Sequence, residues 1–302
     1  MSQSGNGVFA GPAAGNGAGE RQPLRLGGMA LRNGLLIHGP RAWAAAARTG
    51  DGRIEVASRP KPVFSRGRLG SVPLVRGPLR LAEAFAVIPV ARRQLPAARL
   101  PIEDVRVLLV GLATAAVSGG IRRVGGRTAS GGRATLREGV IAVLGVLPAL
   151  AALRDRDLAA YHGVEHKAIG AYERHSLDPA DAPKEHERCG SNLIAPLLIL
   201  SVAGQLATER VFTRPGPLPR ALAGAGSVSG AVELFAYAER HPDSALGRAI
   251  HRVGHEIQRL FSTREPTAEQ LEVGSAALRE ILQAEASLAA HVQPGAGTAD
   301  TL

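Results

Sequence analysis

Four apolar runs govern what this chain can fold into. Residues 107–121 and 139–153 are 15 residues each without a charge, residues 189–208 are 20, and residues 221–238 are 18 broken only by Glu233. A helix rises about 1.5 Å per residue, so about 20 residues cross a hydrocarbon core of about 30 Å. The third run clears that length, the fourth approaches it, and the first two are marginal. Arginines stand at their ends: Arg106 and Arg122 bound the first run, Arg154 closes the second and Arg188 precedes the third. The pattern predicts a mainly α protein, a helical membrane bundle of about three to four apolar helices. The alternative is a set of core helices in a soluble protein, which the Ala and Gly content of the runs keeps open.

Charge adds an orientation. The chain carries 36 Lys+Arg against 26 Asp+Glu, a formal net charge of +10. The excess is confined, since residues 1–106 hold 16 basic and 6 acidic side chains while residues 107–302 hold 20 of each. A basic segment ahead of the first apolar run predicts a cytoplasmic N-terminal region touching anionic inner-leaflet lipids. Four crossings then return residues 154–188 and the C-terminal region to the cytoplasm. They also place the loop 122–138 outside with Arg122, Arg123, Arg127, Arg133 and Arg137, against the positive-inside tendency. A shallow hairpin of the first two runs is the other arrangement, and both leave 154–188 cytoplasmic. Nucleic-acid binding is a weak explanation of the charge, because only 3% of residues are aromatic, none interleaves with the arginines for base stacking, and a membrane accounts for the charge without it. With Trp43 and three tyrosines in all, arginine is left to do most of the interfacial anchoring. The lone Cys189 rules out a disulfide framework.

Three regions are predicted. Residues 1–22, rich in Gly, Ala, Ser and Asn, read as a disordered tail. Residues 23–77 read as a small β unit: strands over 43–48 and 53–56 flank Thr49-Gly50-Asp51-Gly52, a strong hairpin signal, and a strand around 35–38 can pair with them. Residues 78–302 read as a helical membrane-associated domain. It ends in an amphipathic helix with a Thr267-to-Gln270 capping box and Leu271, Leu278, Ile281 and Leu282 on one face.

The chemistry concentrates in residues 154–174, where His162, Glu165 and His166 form His-x-x-Glu-His. On a helix the two histidines lie one turn apart on one face, with Glu165 beside them. This is the spacing of the inverted zinc-peptidase motif, in which paired histidines bind a divalent metal and the glutamate handles the proton of an activated water. With 9 His and 18 Glu in the chain, chance supplies the pattern roughly 0.02 times. Downstream, His186 and Cys189 add an imidazole and a thiol three residues apart. His162, His166, His186 and Cys189 make a plausible zinc or iron set, and Glu173 is a candidate carboxylate ligand. Glu173 lies seven residues beyond His166, about 10 Å along a straight helix, so it reaches the same ion only if the helix breaks at Gly170. Cys189 has two other readings, a small buried apolar residue and a nucleophile activated by His186. His251 and His255, four apart among basic neighbours, read as solvated. Glu233, ionisable within an apolar run, calls for a partner.

Tyr161 to Ile169, Tyr172-Glu173 and His186-x-Arg188-Cys189-Gly190 together resemble the YqhQ-like family, an uncharacterised family of bacterial membrane proteins described as predicted metal-dependent enzymes. Gly27-Gly28-Met29-Ala30 with Gly34 resembles the family's opening Gly-Gly-Gln-Ala-Val-x-Glu-Gly segment. Val75-Arg76-Gly77 matches its short Arg-Gly element, and residues 258–266 with Glu272-Val273 resemble its C-terminal signature. The likeness covers residues 26–283. Met29 and Asn33 stand where the family has Gln and Glu, and His38 where Arg is usual.

The resemblance implies a multi-pass protein of the bacterial cell membrane with a cytoplasmic metal-type site, zinc ranked ahead of iron or manganese. The expected function is a metal-dependent, hydrolytic membrane enzyme. His162, His166 and His186 are its ligands with Cys189 or Glu173, Glu165 is the base, and Lys167 and Arg188 stabilise an anion. The competing expectation is a non-catalytic membrane protein in which the same residues build a structural site or an assembly contact.

Overall fold

The structure is a computed structural model that describes residues 23–65, 67–124, 131–212 and 215–292. The predicted tail over 1–22 lies outside the described residues. Four antiparallel strands, β1 (Gly27–Leu31), β2 (Gly34–His38), β3 (Ala42–Arg48) and β4 (Ile54–Pro60), form one sheet in chain order. Leu31 pairs with Gly34, His38 with Trp43 and Arg48 with Ile54. Gly52 turns the β3–β4 hairpin at φ +88°, a conformation that favours glycine. The sheet extends the sequence reading by β1.

Because side chains alternate across a sheet, each face builds its own core. Leu35, Ile37, Ala44 and Ala46 face Tyr161, Val164, Ile169, Leu278 and Ile281, all buried. These partners belong to α4 (Arg156–Glu173) and α8 (Ala268–Val292). Leu31, Leu36, Trp43, Ala45 and Ala47 face Val87 and Ala91 of α1 (Arg76–Gln94) together with Leu95 and Leu100. Trp43 is fully buried there, so the single tryptophan is a core residue rather than an interfacial anchor. The α8 capping box forms as expected: the Thr267 amide donates to Gln270 Oε1 at 3.1 Å and the Gln270 amide to Thr267 Oγ1 at 3.3 Å.

Four helices among the described residues are long and apolar enough to cross a membrane: α2 (Val105–Val124), α3 (Gly132–Ala152), α5 (Ile194–Val211, 22 residues with the turn Gly190–Leu193) and α6 (Pro217–Arg240). The two marginal runs reach 20 and 21 residues because their helices extend over the flanking arginines. Packing covers little of them, with 0% of α2 and 17% of α3 buried. Leu108, Leu109, Leu112, Ile199, Leu218 and Leu222 are exposed, an apolar girdle that lipid covers and water would not. α2 packs on α3, α3 on α5, and α5 on α6.

Polar clusters mark both ends of this bundle. At the sheet end Arg32 bridges Asp104, before α2, and Asp155, after α3, at 3.7 and 2.9 Å. At the far end Glu138, 1% exposed, accepts from Arg122 at 2.9 Å and from Arg137 at 3.1 Å. Arg137 also pairs with Glu209, which Arg220 approaches at 3.3 Å. Two arginines of the loop 122–138 are therefore neutralised by Glu138 and Glu209. Glu233 has its partner too: Arg76 grips both carboxylate oxygens, at 3.0 and 2.5 Å. Gly77 beside it admits α6, since a Cβ there would stand 2.9 Å from Val232 Cβ.

α7 (Ala245–Ile257) follows α6, and a π-helical turn (Gln258–Ser262) then leads toward α8. That turn, the loop before α5 and helix α4 meet beneath the sheet.

Candidate metal centre

Helix α4 starts at Asp155, whose carboxylate accepts from the amides of Asp157 at 3.0 Å and Leu158 at 3.3 Å. It is buried along most of its length from Leu158 to Ala171. His162 and His166 occupy successive turns with ring centroids 4.4 Å apart. Each ring is anchored the same way. His162 Nδ1 lies 2.7 Å from the carbonyl of Ser262, and His166 Nδ1 lies 2.6 Å from the carbonyl of Lys184. A carbonyl only accepts, so each Nδ1 carries a hydrogen, and in the neutral ring that leaves the Nε2 lone pair free. Outer-shell bonds of this kind orient metal-ligating histidines.

Cys189 brings its sulfur to the same point, 3.5 Å from His162 Nε2. One ligand atom each from His162, His166 and Cys189 falls within 4.8 Å of the others. Donors about 2.0–2.3 Å from a tetrahedral ion stand roughly 3.3–3.8 Å apart, a range that the Cys189–His162 pair at 3.5 Å meets, and an imidazole–thiolate set suits a divalent metal in chemistry. Burial holds the His166 imidazole below its usual range, with the Cys189 sulfur opposing.

Glu165 points its Oε2 at both free nitrogens, 4.0 Å from His162 Nε2 and 3.8 Å from His166 Nε2. Burial pushes its carboxyl up, the charges of His162 and His186 opposing. Strand β1 roofs this side chain: a Cβ on Gly28 would come within 2.6 Å of Glu165 Cγ and 2.7 Å of its Oε1. Only glycine leaves that space.

The remaining predicted residues stand beside this group. α4 runs unbroken through Gly170, so Glu173 sits at its far end. There it accepts from His186 Nε2 at 3.0 Å and pairs with Arg188. The other ring nitrogen of His186 accepts from the Arg188 amide at 3.2 Å. With both nitrogens engaged, His186 lies outside the three-residue group, 5.8 Å from His166 between ring centroids. Lys167 turns away, donating to the Ala182 carbonyl at 2.8 Å and pairing with Glu265 at 2.8 Å. His251 departs from the solvated reading, since both its ring nitrogens are buried without a partner among the described residues.

Gln258, 1% exposed, holds the loop in place. Its Oε1 accepts from the His186 amide at 2.7 Å, and its Nε2 donates to the His186 carbonyl at 3.1 Å and to Ser191 Oγ at 2.9 Å. Gln258, Ser262, Lys184 and Gly28 are positioning residues that no spacing rule selects. Asn33 bonds the carbonyls of Arg48 and Ala97 at 2.8 and 2.9 Å and accepts from the Arg99 amide. It therefore clamps a turn, and none of those partners belongs to the cluster.

Four membrane-length helices joined to a buried histidine–cysteine cluster define the class, a multi-span protein of membrane type. Residues 133–284 match the family model described as a protein of unknown function (DUF1385), and the chain belongs to that family. The YqhQ-like resemblance is consistent with it. No curated protein and no solved structure matches the chain.

Proposed function

We propose that the protein is a metal-dependent membrane enzyme, hydrolytic in type, whose site works at the cytoplasmic surface. One observation carries the reading. Two histidines with backbone-anchored Nδ1 atoms present free Nε2 atoms to one point shared with a cysteine sulfur. His162, His166 and Cys189 would hold the ion, zinc first for an imidazole–thiolate set and iron or manganese otherwise. Three protein ligands leave a coordination position for substrate or water, as catalytic sites require. A divalent ion there lowers the pKa of water toward neutrality and polarises a substrate oxygen.

The chain's own groups do the rest. Glu165, facing both Nε2 atoms, takes and returns the proton at its Oε2. Glu173, His186 and Arg188 form the wall next to the ligands. Lys167 ties α4 to the segments around Ala182 and Glu265. The basic residues of 1–106 support placing this end in the cytoplasm against anionic lipid.

Elemental analysis of detergent-purified protein tests the reading. Near-stoichiometric zinc, iron or manganese is expected, lost in His162→Ala; a metal-free wild type sinks it. A non-catalytic metal site is the second reading, favoured by the burial of His166 and Cys189, which are 2% and 8% exposed. Replacing the chromosomal copy with Glu165→Gln separates the two. An enzyme keeps its metal and loses function, whereas a structural site tolerates the change.

A further inference from the structure

We propose that the cavity beside the histidine–cysteine cluster binds a phosphate group, carried by a lipid headgroup or by a soluble phosphate compound. This rests on the enzyme reading above and names the class of group that its site receives. The cavity has a volume of about 780 Å³ and shares the wall formed by Glu173, His186 and Arg188. Its other sides are α7, at His251, Arg252 and His255, and the ends of two spans, at Asn192 before α5 and Glu239 in the last turn of α6. A void bounded by the ends of spans lies at the depth of the headgroup layer.

The lining charges point to an anion once the internal pairs are taken out. Glu173 is held by Arg188 and His186. Glu239 pairs with Arg25 at 3.1 Å, and Glu185 with Lys184 at 2.6 Å. Two exposed guanidiniums then line the cavity with no ion pair among the described residues: Arg174 at the end of α4 and Arg252 on α7. Against them the lining leaves one unpaired carboxylate, the exposed Glu187.

Gly170 of α4 forms the floor of the cavity beside Arg174 and His186. A Cβ there would stand 3.5 Å from Ala182 Cβ, 3.6 Å from Arg174 Nη2 and 3.7 Å from His186 Cδ2, so the guanidinium and the imidazole both approach this buried glycine. Arginine forks suit tetrahedral oxyanions, and a phosphate has enough oxygens to bridge two of them. A group seated on this floor would rest against His186, whose ring neighbours the ligand His166.

The full-length protein in mild detergent is titrated calorimetrically with dihexanoyl phosphatidylglycerol and, separately, with inorganic phosphate, with metal content measured on the same samples. Saturable binding of at least one probe is expected. It should weaken at least tenfold in Arg174→Gln/Arg252→Gln, with metal content unchanged. Gly170→Leu, which fills the floor, should weaken it likewise. Binding of the lipid alone assigns the headgroup as source, and comparable binding of phosphate assigns a soluble compound. Failure of both probes to saturate the wild type overturns the proposal, as does an affinity unmoved by the double variant. A wild type that binds a probe but holds no metal overturns the enzyme reading and leaves the phosphate pocket standing.

Discussion

Two single residues outside the ligand set show how closely the cluster is held. Gln258 makes three hydrogen bonds, two to the backbone of His186 and a buried one to Ser191. Gln258→Ala leaves the His186 amide and carbonyl without partners, which costs about 2–3 kcal/mol. The thermal midpoint should fall and metal affinity should drop about 10–100-fold, the usual range for outer-shell losses; a competition titration with a chelator measures it. Gly28 sits against the Glu165 carboxylate. Gly28→Val should displace that carboxylate while sparing His162, His166 and Cys189, giving normal metal content with lost function in cells. Retention of full function would remove Glu165 from the chemistry. His162, Glu165 and His166 are legible in the sequence because helical periodicity alone brings them together. Ser262 and Lys184 are not, because they act through main-chain carbonyls that any residue supplies.

Among elements, β1 is the least legible. Gly27 and Gly28 have poor strand propensity, and the strand forms because β2 provides a ladder on one side while α4 lies beneath it. The β3–β4 hairpin, by contrast, is written in Asp51-Gly52. Strand β2 also carries an acid-sensitive residue. Burial holds His38 down at about 4, with the Lys61 charge acting the same way and Glu83 opposing. The unfolded chain therefore binds the extra proton first as pH falls below about 6.5, and stability declines until about pH 4. Melting between pH 7 and 4 should show the decline, and His38→Gln should flatten it. The far end of the bundle holds the other hidden feature. Glu138 looks like the boundary of an apolar run, yet it is enclosed by Arg122 on α2 and by Arg137, its neighbour on α3. Glu138→Gln strips those two arginines of a buried counter-charge, a loss of about 3–5 kcal/mol. The variant should denature in detergent at a clearly lower temperature than Glu233→Gln, whose carboxylate is 19% exposed against 1% for Glu138.

At the scale of the whole molecule, the placement of charge is the question the sequence poses most sharply. Residues 122–138 carry five arginines, which oppose an external location by count alone. Pairing of Arg122 and Arg137 with Glu138 and Glu209 removes part of that conflict, and no local pattern reveals it because Glu209 lies a full span away. Orientation is checked with added cysteines at exposed Thr135, at the far end, and exposed Gln283, on α8. A membrane-impermeant maleimide should label the first in intact cells and the second only after permeabilisation. Labelling of Gln283→Cys in intact cells would place the cluster outside.

The shared core of β2, β3, α4 and α8 has a further consequence, one of parity. The sheet comes before all four spans, α4 comes between the two pairs, and α8 comes after them, yet all pack into one body. The chain must therefore be on the same side of the membrane at three separate times during its synthesis. An odd number of crossings is forbidden, both between sheet and α4 and between α4 and α8. The count of three that helix lengths alone allowed cannot occur. Each pair of spans would enter and return as a unit, and the apolar face of α4 waits for α8, the last of the described helices, before it is covered.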